Sequence, residues 1–218
     1  MMATAPKAII LDFDGTIVES VGIKDEAFKA LFAAYPDDLD EIMRYHLSHN
    51  ATIRFEKFRH IHEHILQLPF SREVEERLGQ RFSEITLSKI VECPIVAGAR
   101  EFLDHFSRHL PLFLASVSPS DDLGWILEQR DLKKFFKRIY AYPWQKTAAI
   151  RDAMQREGIS ASELLFIGDS PEDLEAAREA GVPFIGRQSG KWTEDIDAPL
   201  FRDFIGIQAH LRRLNISS

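Results

Sequence analysis

The apolar positions of this chain change rhythm twice. Ala8 to Phe13 is a short, mostly apolar run ended by Gly15, and its lack of strict alternation predicts a strand buried on both faces. From residue 23 to residue 90 the spacing turns helical. Helices are predicted over Ile23 to Tyr35, Leu39 to His46, Arg54 to Gln67 and Arg72 to Lys89, with Pro36 and Pro69 as punctuation. On the third of these, Phe55, Phe58, Ile61, His62 and Ile65 recur at helical spacing, a stripe expected to pack a helical bundle. Beyond Pro94, strands are predicted over Leu110 to Val117, Arg138 to Tyr142, Leu164 to Ile167 and Val182 to Ile185. Helices over Ala99 to His109, Asp121 to Gln129, Lys146 to Gln155 and Pro171 to Ala180 alternate with them. Residues 188–218 carry a weaker pattern, with a last helix expected over Phe204 to Leu214.

Alternation of this kind predicts an α/β fold, a parallel sheet with helices on both faces. The long helical stretch interrupts it after the first strand. The expected organisation is therefore a core of residues 1–18 and 92–218 and a helical cap of residues 19–91. Open parallel sheets bind ligands beyond the carboxyl ends of their strands, so the cleft between core and cap is the expected site.

Composition changes this picture little. A length of 218 residues suits a core with a smaller companion. The formal net charge of -7 argues against nucleic acid as a partner, because phosphate backbones attract basic surfaces. The single cysteine, Cys93, forms no disulfide within the chain and reads as a small hydrophobe beside Pro94. No apolar run approaches the roughly 20 residues a membrane helix needs, and only Lys7 precedes the first strand, so neither a membrane partner nor a signal peptide is read. A cytoplasmic location is the expectation. The oligomeric state stays open, with a monomer favoured.

Chemistry enters at the strand ends. Asp12-Phe13-Asp14-Gly15-Thr16, Ala115-Ser116-Val117-Ser118, Lys146, and Gly168-Asp169-Ser170-Pro171-Glu172-Asp173 each fall at or just beyond a predicted carboxyl end. In a parallel sheet they converge on one edge. Carboxylates so close repel one another unless a cation joins them, and a set of hard oxygens selects Mg²⁺ over softer metals. Together with a lysine and a hydroxyl, such a site neutralises a transferring phosphoryl group. Asp12 is a competent covalent nucleophile, and Asp14 is placed to exchange a proton with the leaving or attacking oxygen. Taken singly, each feature has an ordinary reading. A D-x-D pair is often a turn, Asp169 or Ser170 is a helix cap with Pro171 at the first position, and Lys146 is a solvated lysine at a helix start.

In order and together, these motifs resemble the haloacid dehalogenase-like superfamily, in its phosphatase branch. D-F-D-G-T matches the first family motif, and the resemblance runs over roughly residues 7 to 187. It implies a Rossmann-like core, a small helical cap and a Mg²⁺ cofactor. It implies Asp12 as nucleophile, Asp14 as general acid and base, and Asp12, the Asp14 carbonyl and Asp169 on the metal, with Asp173 supporting the metal site. It implies Ser116 and Lys146 as phosphoryl-binding groups, with Thr16 and Val117 beside them. Two departures stand out. Many relatives carry lysine directly before proline near the third motif, whereas this chain reads Tyr142-Pro143-Trp144-Gln145-Lys146-Thr147, with Lys137 as a rival. Val117 replaces a frequent asparagine and offers only its backbone N–H.

The resemblance also bears on the reaction. Family dehalogenases lack an acid equivalent to Asp14, which points away from halide chemistry. The expected activity is hydrolysis of a small phosphorylated metabolite through an aspartyl-phosphate. The alternatives left open are a sugar-phosphate phosphomutase, a phosphonate hydrolase and a non-catalytic binding relative. In the cap, His46, Asn50, Arg54 and Lys57 form a polar-to-basic stretch, and Arg54 and Lys57 stand three apart on one helix as candidates for a second anionic group of the substrate. His60, His62 and His64 do not make a three-histidine metal site, since His62 points away from the other two on a helix.

Overall fold

The computed structural model describes residues 5–49, 52–192 and 196–213. The described chain divides into two compact units, Met1–Glu19 with Pro94–Ser218, and Ser20–Cys93.

The first unit is built on a six-stranded sheet. Its strands are β1 (Ala8–Leu11), β2 (Leu112–Pro119), β3 (Arg138–Tyr142), β4 (Leu164–Gly168), β5 (Phe184–Arg187) and β6 (Leu200–Phe201), in the order β3-β2-β1-β4-β5-β6. Every pairing is parallel. The expected α/β architecture, a Rossmann-like parallel sheet with an inserted helical region, is borne out. β1 sits centrally, and all four of its residues are fully buried, as its non-alternating run requires. The two-residue β6 was not anticipated, being too short to show any period. β5 begins at Phe184 and runs to Arg187, two residues later than expected.

The second unit is helical: α1 (Val21–Leu31), α2 (Leu39–Ser48), α3 (Arg54–His60) and α4 (Arg72–Glu92). Its core gathers Phe28, Phe32, Ile42, Phe58, Ile61, Leu78 and Phe82, so the stripe read from the sequence does pack inward. The helix expected to continue to Gln67 does not. It stops at His60 and widens into a π-helical turn, Ile61–Ile65, with Leu66 N–H donating to the Ile61 carbonyl at 2.9 Å. A π turn takes in one extra residue, which rotates the side chains beyond it about the helix axis. Ile61 and His62, neighbours in sequence, are both buried, and the His62 ring lies 6.4 Å from Phe32 and 5.6 Å from Phe70. His60 and His64 share a side, their rings 4.7 Å apart.

The chain leaves and rejoins the first unit at one place. Val96 N–H donates to Ile17 O at 3.0 Å and Glu19 N–H to Pro94 O at 3.0 Å, an antiparallel pairing of the two ends of the insertion. The remaining helices of this unit are α5 (Ala99–Phe106), α6 (Ser120–Gln129), α7 (Lys146–Glu157), α8 (Pro171–Ala180) and α9 (Phe204–Arg213). Leu214, expected to end α9, lies outside the described residues. Among the described residues no helix is long and apolar enough to cross a membrane.

Candidate active site

Asp12 follows β1 directly. Its N–H donates to Ile167 O at 2.9 Å, so the ladder with β4 runs one residue past the strand. The registers Leu11 with Leu114 and Leu11 with Ile167 set Asp12 beside the residues that come next on β2 and β4. Gly15, at φ +79°, then turns the chain, a conformation that costs a residue with a Cβ. The N–H groups of Thr16, Ile17 and Val18 fold back onto the Phe13 carbonyl. Thr16 is buried by this turn, with its hydroxyl 3.3 Å from Asp12 Oδ2.

At the end of β2, Ser116 is buried and its Oγ accepts from Ser118 N–H at 3.1 Å. Ser118 Oγ in turn donates to Asp14 Oδ2 at 3.2 Å. Asp14 is half-buried, as is Val117. At the end of β4, Asp173 closes the α8 N-terminus. Its Oδ2 accepts from Asp169 N–H (3.1 Å), Ser170 N–H (3.2 Å) and Ser170 Oγ (2.8 Å), a reciprocal capping box. Only glycine fits before it, since a Cβ on Gly168 would stand 2.5 Å from Asp173 Cβ.

Lys146 opens α7 and joins the two ends of this edge. Its Nζ donates to Asp12 Oδ1 at 2.8 Å and to Asp173 Oδ1 at 2.5 Å. Lys137 lies elsewhere and pairs with Glu157 at 2.7 Å. A second cation, Lys191, reaches the same edge from the turn after β5, with Nζ 3.2 Å from Asp169 Oδ1 and 3.0 Å from Oδ2. Sequence reading missed Lys191 and, though it placed Ser118 at the end of β2, gave it no role. Lys191 obeyed the rule that found the others, a charged residue just beyond a strand's carboxyl end, but no motif marked it.

Burial governs the electrostatics. It pushes the Asp12 carboxyl up to about 7; the Lys146 ammonium pulls it down, while Asp173 and Asp169 push it further up. Burial also raises Asp169, against the pull of Lys191. The two ammonium groups stay charged. Burial works to lower each, but Asp12 and Asp173 hold Lys146 above the ordinary lysine range, and Asp169 and Asp12 do the same for Lys191.

Asp12, Asp169 and Asp173 each offer a carboxylate oxygen, all buried and all within 4.8 Å of one another. Asp169 Oδ2 is buried and accepts no hydrogen bond, its neighbour being the Lys191 ammonium, ion-paired at 3.0 Å. An unsatisfied buried oxygen within a set of hard ligands fits a divalent cation. This triad can coordinate one.

The basic residues read from the cap all belong to the second unit. Lys57 is buried, with Nζ 3.2 Å from His46 Nδ1 and 3.0 Å from His46 O. His46 Nε2 lies 2.9 Å from Asp25 Oδ1, and its ring stacks on Phe28 at 3.8 Å. Because the ammonium only donates, His46 accepts at Nδ1 and donates from Nε2–H, a neutral ring. Arg54 donates to Ser83 Oγ at 3.1 Å and lies over the Phe55 and Phe82 rings. Asn50 lies outside the described residues. Burial, more than the neighbouring Lys57, holds His46 below its ordinary value of 6.5, while the Asp25 hydrogen bond works the other way. The unfolded chain therefore binds protons that the folded one refuses, and the contribution of this histidine to stability is expected to fall as pH drops below 6.5, opposite in sign to that of the buried Asp12. Denaturant midpoints at about pH 7.5 and about pH 5.5 check this. Because Asp12 acts alike in both proteins, the test is the difference: on going to the lower pH, His46→Gln is expected to lose less stability, or gain more, than the parent. His60 and His62, also held low by burial, leave part of the dependence in place.

Fold and site together define a hydrolase with acid residues at the carboxyl edge of a parallel sheet. A family profile described as haloacid dehalogenase-like hydrolase matches residues 9–187. The chain belongs to that family. Its similarity to the phosphatase branch, read from the motifs, is borne out by curated relatives. It is 28% identical to the phosphoglycolate phosphatase of Photorhabdus laumondii, over 84% of this chain and 81% of that protein. It is 26% identical to that of Pseudomonas savastanoi, over 85% and 70%. The fold is shared with a predicted phosphoglycolate phosphatase from Haemophilus somnus (TM-score 0.76, 16% identity, 95% of this chain and 99% of that one). It is shared too with CbbY from Rhodobacter sphaeroides, solved in complex with phosphate (TM-score 0.72, 18% identity, 91% and 95%).

Proposed function

We propose that this protein is a Mg²⁺-dependent phosphomonoester hydrolase acting on a small phosphorylated metabolite. The observation that carries the reading is the buried triad Asp12, Asp169 and Asp173, bridged from Asp12 to Asp173 by the Lys146 ammonium. In this reading Asp12, the Asp14 carbonyl and Asp169 hold the ion, and Asp173 supports it. When bound, Mg²⁺ supplies charge neutralisation for the phosphoryl oxygens.

The chain's own groups do the rest. Asp12 Oδ2 attacks phosphorus while Lys146 fixes Oδ1 and so aims the carboxylate. Asp14, steadied by Ser118, protonates the leaving alcohol. The aspartyl-phosphate so formed is opened by water that gives its proton to Asp14. Ser116, Thr16, the Val117 N–H and Lys146 hold the phosphoryl oxygens. Arg54 and Lys57 are proposed to meet a second anionic group on the substrate, such as a carboxylate or another phosphate.

Two features favour a small anionic substrate. The curated relatives are named phosphoglycolate phosphatases, and a variant of CbbY was solved with xylulose-1,5-bisphosphate. Phosphate release across a panel of phosphomonoesters with Mg²⁺ tests the proposal, with phosphoglycolate and pentose and hexose phosphates included. Release from at least one ester, lost on chelation, is the expected result. Silence across the panel refutes hydrolysis, and conversion of a sugar phosphate without free phosphate assigns a mutase instead.

A further inference from the structure

Lys191 has no place in the chemistry above, yet the fold holds it firmly. Arg187, just upstream, is pinned by the Glu19 carboxylate, by Gly15 O at 3.0 Å and by Arg202 O at 3.1 Å. Just downstream, the Trp192 indole donates to Arg187 O at 2.8 Å and packs edge-on to Phe184. Between them Ser189 Oγ donates to Asp169 O at 3.3 Å and accepts from Lys191 N–H at 3.4 Å. The turn is thus docked onto the backbone of Asp169, and the Lys191 side chain has only 17% of its surface exposed.

The ammonium lies within 3.2 Å of Oδ1 and 3.0 Å of Oδ2, so neither oxygen of Asp169 is out of its reach. A divalent ion needs at least one of them as a ligand at about 2.1 Å. Unlike Lys146, which leaves Asp12 Oδ2 and all of Asp169 uncovered, Lys191 stands against both Asp169 oxygens, so it and the ion claim the same ligand, and their repulsion is strong in so buried a place.

We propose that Lys191 is a built-in competitor of the divalent cation for Asp169, one that weakens metal binding and ties occupancy of the site to the metal concentration. The inference rests on the reading of Asp169 as a metal ligand. When the ion binds, the ammonium moves off the carboxylate along its flexible four-carbon stem, and no covalent step is involved.

Direct binding of Mn²⁺, followed by loss of the free-ion electron paramagnetic resonance signal without substrate, provides the test. Lys191→Met and Lys191→Gln are expected to bind Mn²⁺ about tenfold or more tightly than the parent. Lys191→Arg, which keeps the charge, is expected to bind no more tightly than the parent, and Asp169→Asn far more weakly. Saturating Mn²⁺ is also expected to raise the unfolding temperature of Lys191→Met more than that of the parent. If Asp169→Asn weakens binding but both neutral Lys191 variants bind no more tightly than the parent, the competition is wrong while the metal seat stands. If Asp169→Asn leaves Mn²⁺ binding unchanged, or neither the parent nor the neutral Lys191 variants bind any, both readings fall together.

Discussion

Replacing Asp12 by asparagine is expected to abolish phosphate release, by about 10⁴-fold or more, without weakening the fold. Asparagine keeps an oxygen where Lys146 donates to Asp12 Oδ1 at 2.8 Å, but its amide is no nucleophile. The effect on stability comes from linkage. Asp12 is held at about 7, well above its ordinary 3.8, so between those values the folded protein carries a proton that the unfolded chain has lost. The group's contribution to stability therefore falls as pH rises from 3.8 toward 7 and stays low above that. Asparagine has no such slope. The variant should be as stable as the parent at acid pH and more stable at about pH 8. Parallel phosphate assays and denaturant titrations decide the point. Residual turnover above about one per cent would exclude Asp12 as the nucleophile.

Lys146→Met should damage both chemistry and fold. The ammonium touches Asp12 and Asp173 at once, with only 13% of its side chain exposed. Losing an electrostatic anchor of this kind lowers kcat by about 10²–10³. Removing one partner from a buried ion pair costs about 3–5 kcal/mol when the other stays charged. Asp12 can avoid part of that cost by keeping its proton, and without Lys146 its carboxyl rises further above 7. The destabilisation should accordingly be larger at about pH 8 than at about pH 5.5. Unfolding free energies at the two pH values measure the difference. An equal loss at both would mean that Lys146 acts by packing alone.

Much of this arrangement was readable from sequence, and the reason is local. The run from Ala8 to Leu11 ends in charge and then in Gly15, and a buried strand, a turn and an acid pair are written in adjacent letters. Pro171 at the first position of α8 and Asp173 at the third likewise mark a helix start within a few residues. The features that escaped depend on distant partners. Arg187 binds the Gly15 carbonyl from 172 positions away, and Lys191 meets Asp169 only because β5 lies beside β4. Ser118 reaches Asp14 across 104 positions. The π turn after His60 also defeated periodicity, because one inserted residue resets the helical phase while every side chain keeps its usual propensity.

The paired ends of the insertion have a consequence for how such a chain changes over time or under engineering. Ile17 and Glu19 are already stitched to Val96 and Pro94, so the sheet domain is closed whatever joins them. The entropic penalty of a loop grows only logarithmically with its length, which makes this junction tolerant of inserts of very different size. A different module spliced between Ser20 and Cys93, or a short linker, would leave the acid triad and its lysines on their own scaffold. That seam makes the cap an exchangeable part, and the sheet a chassis.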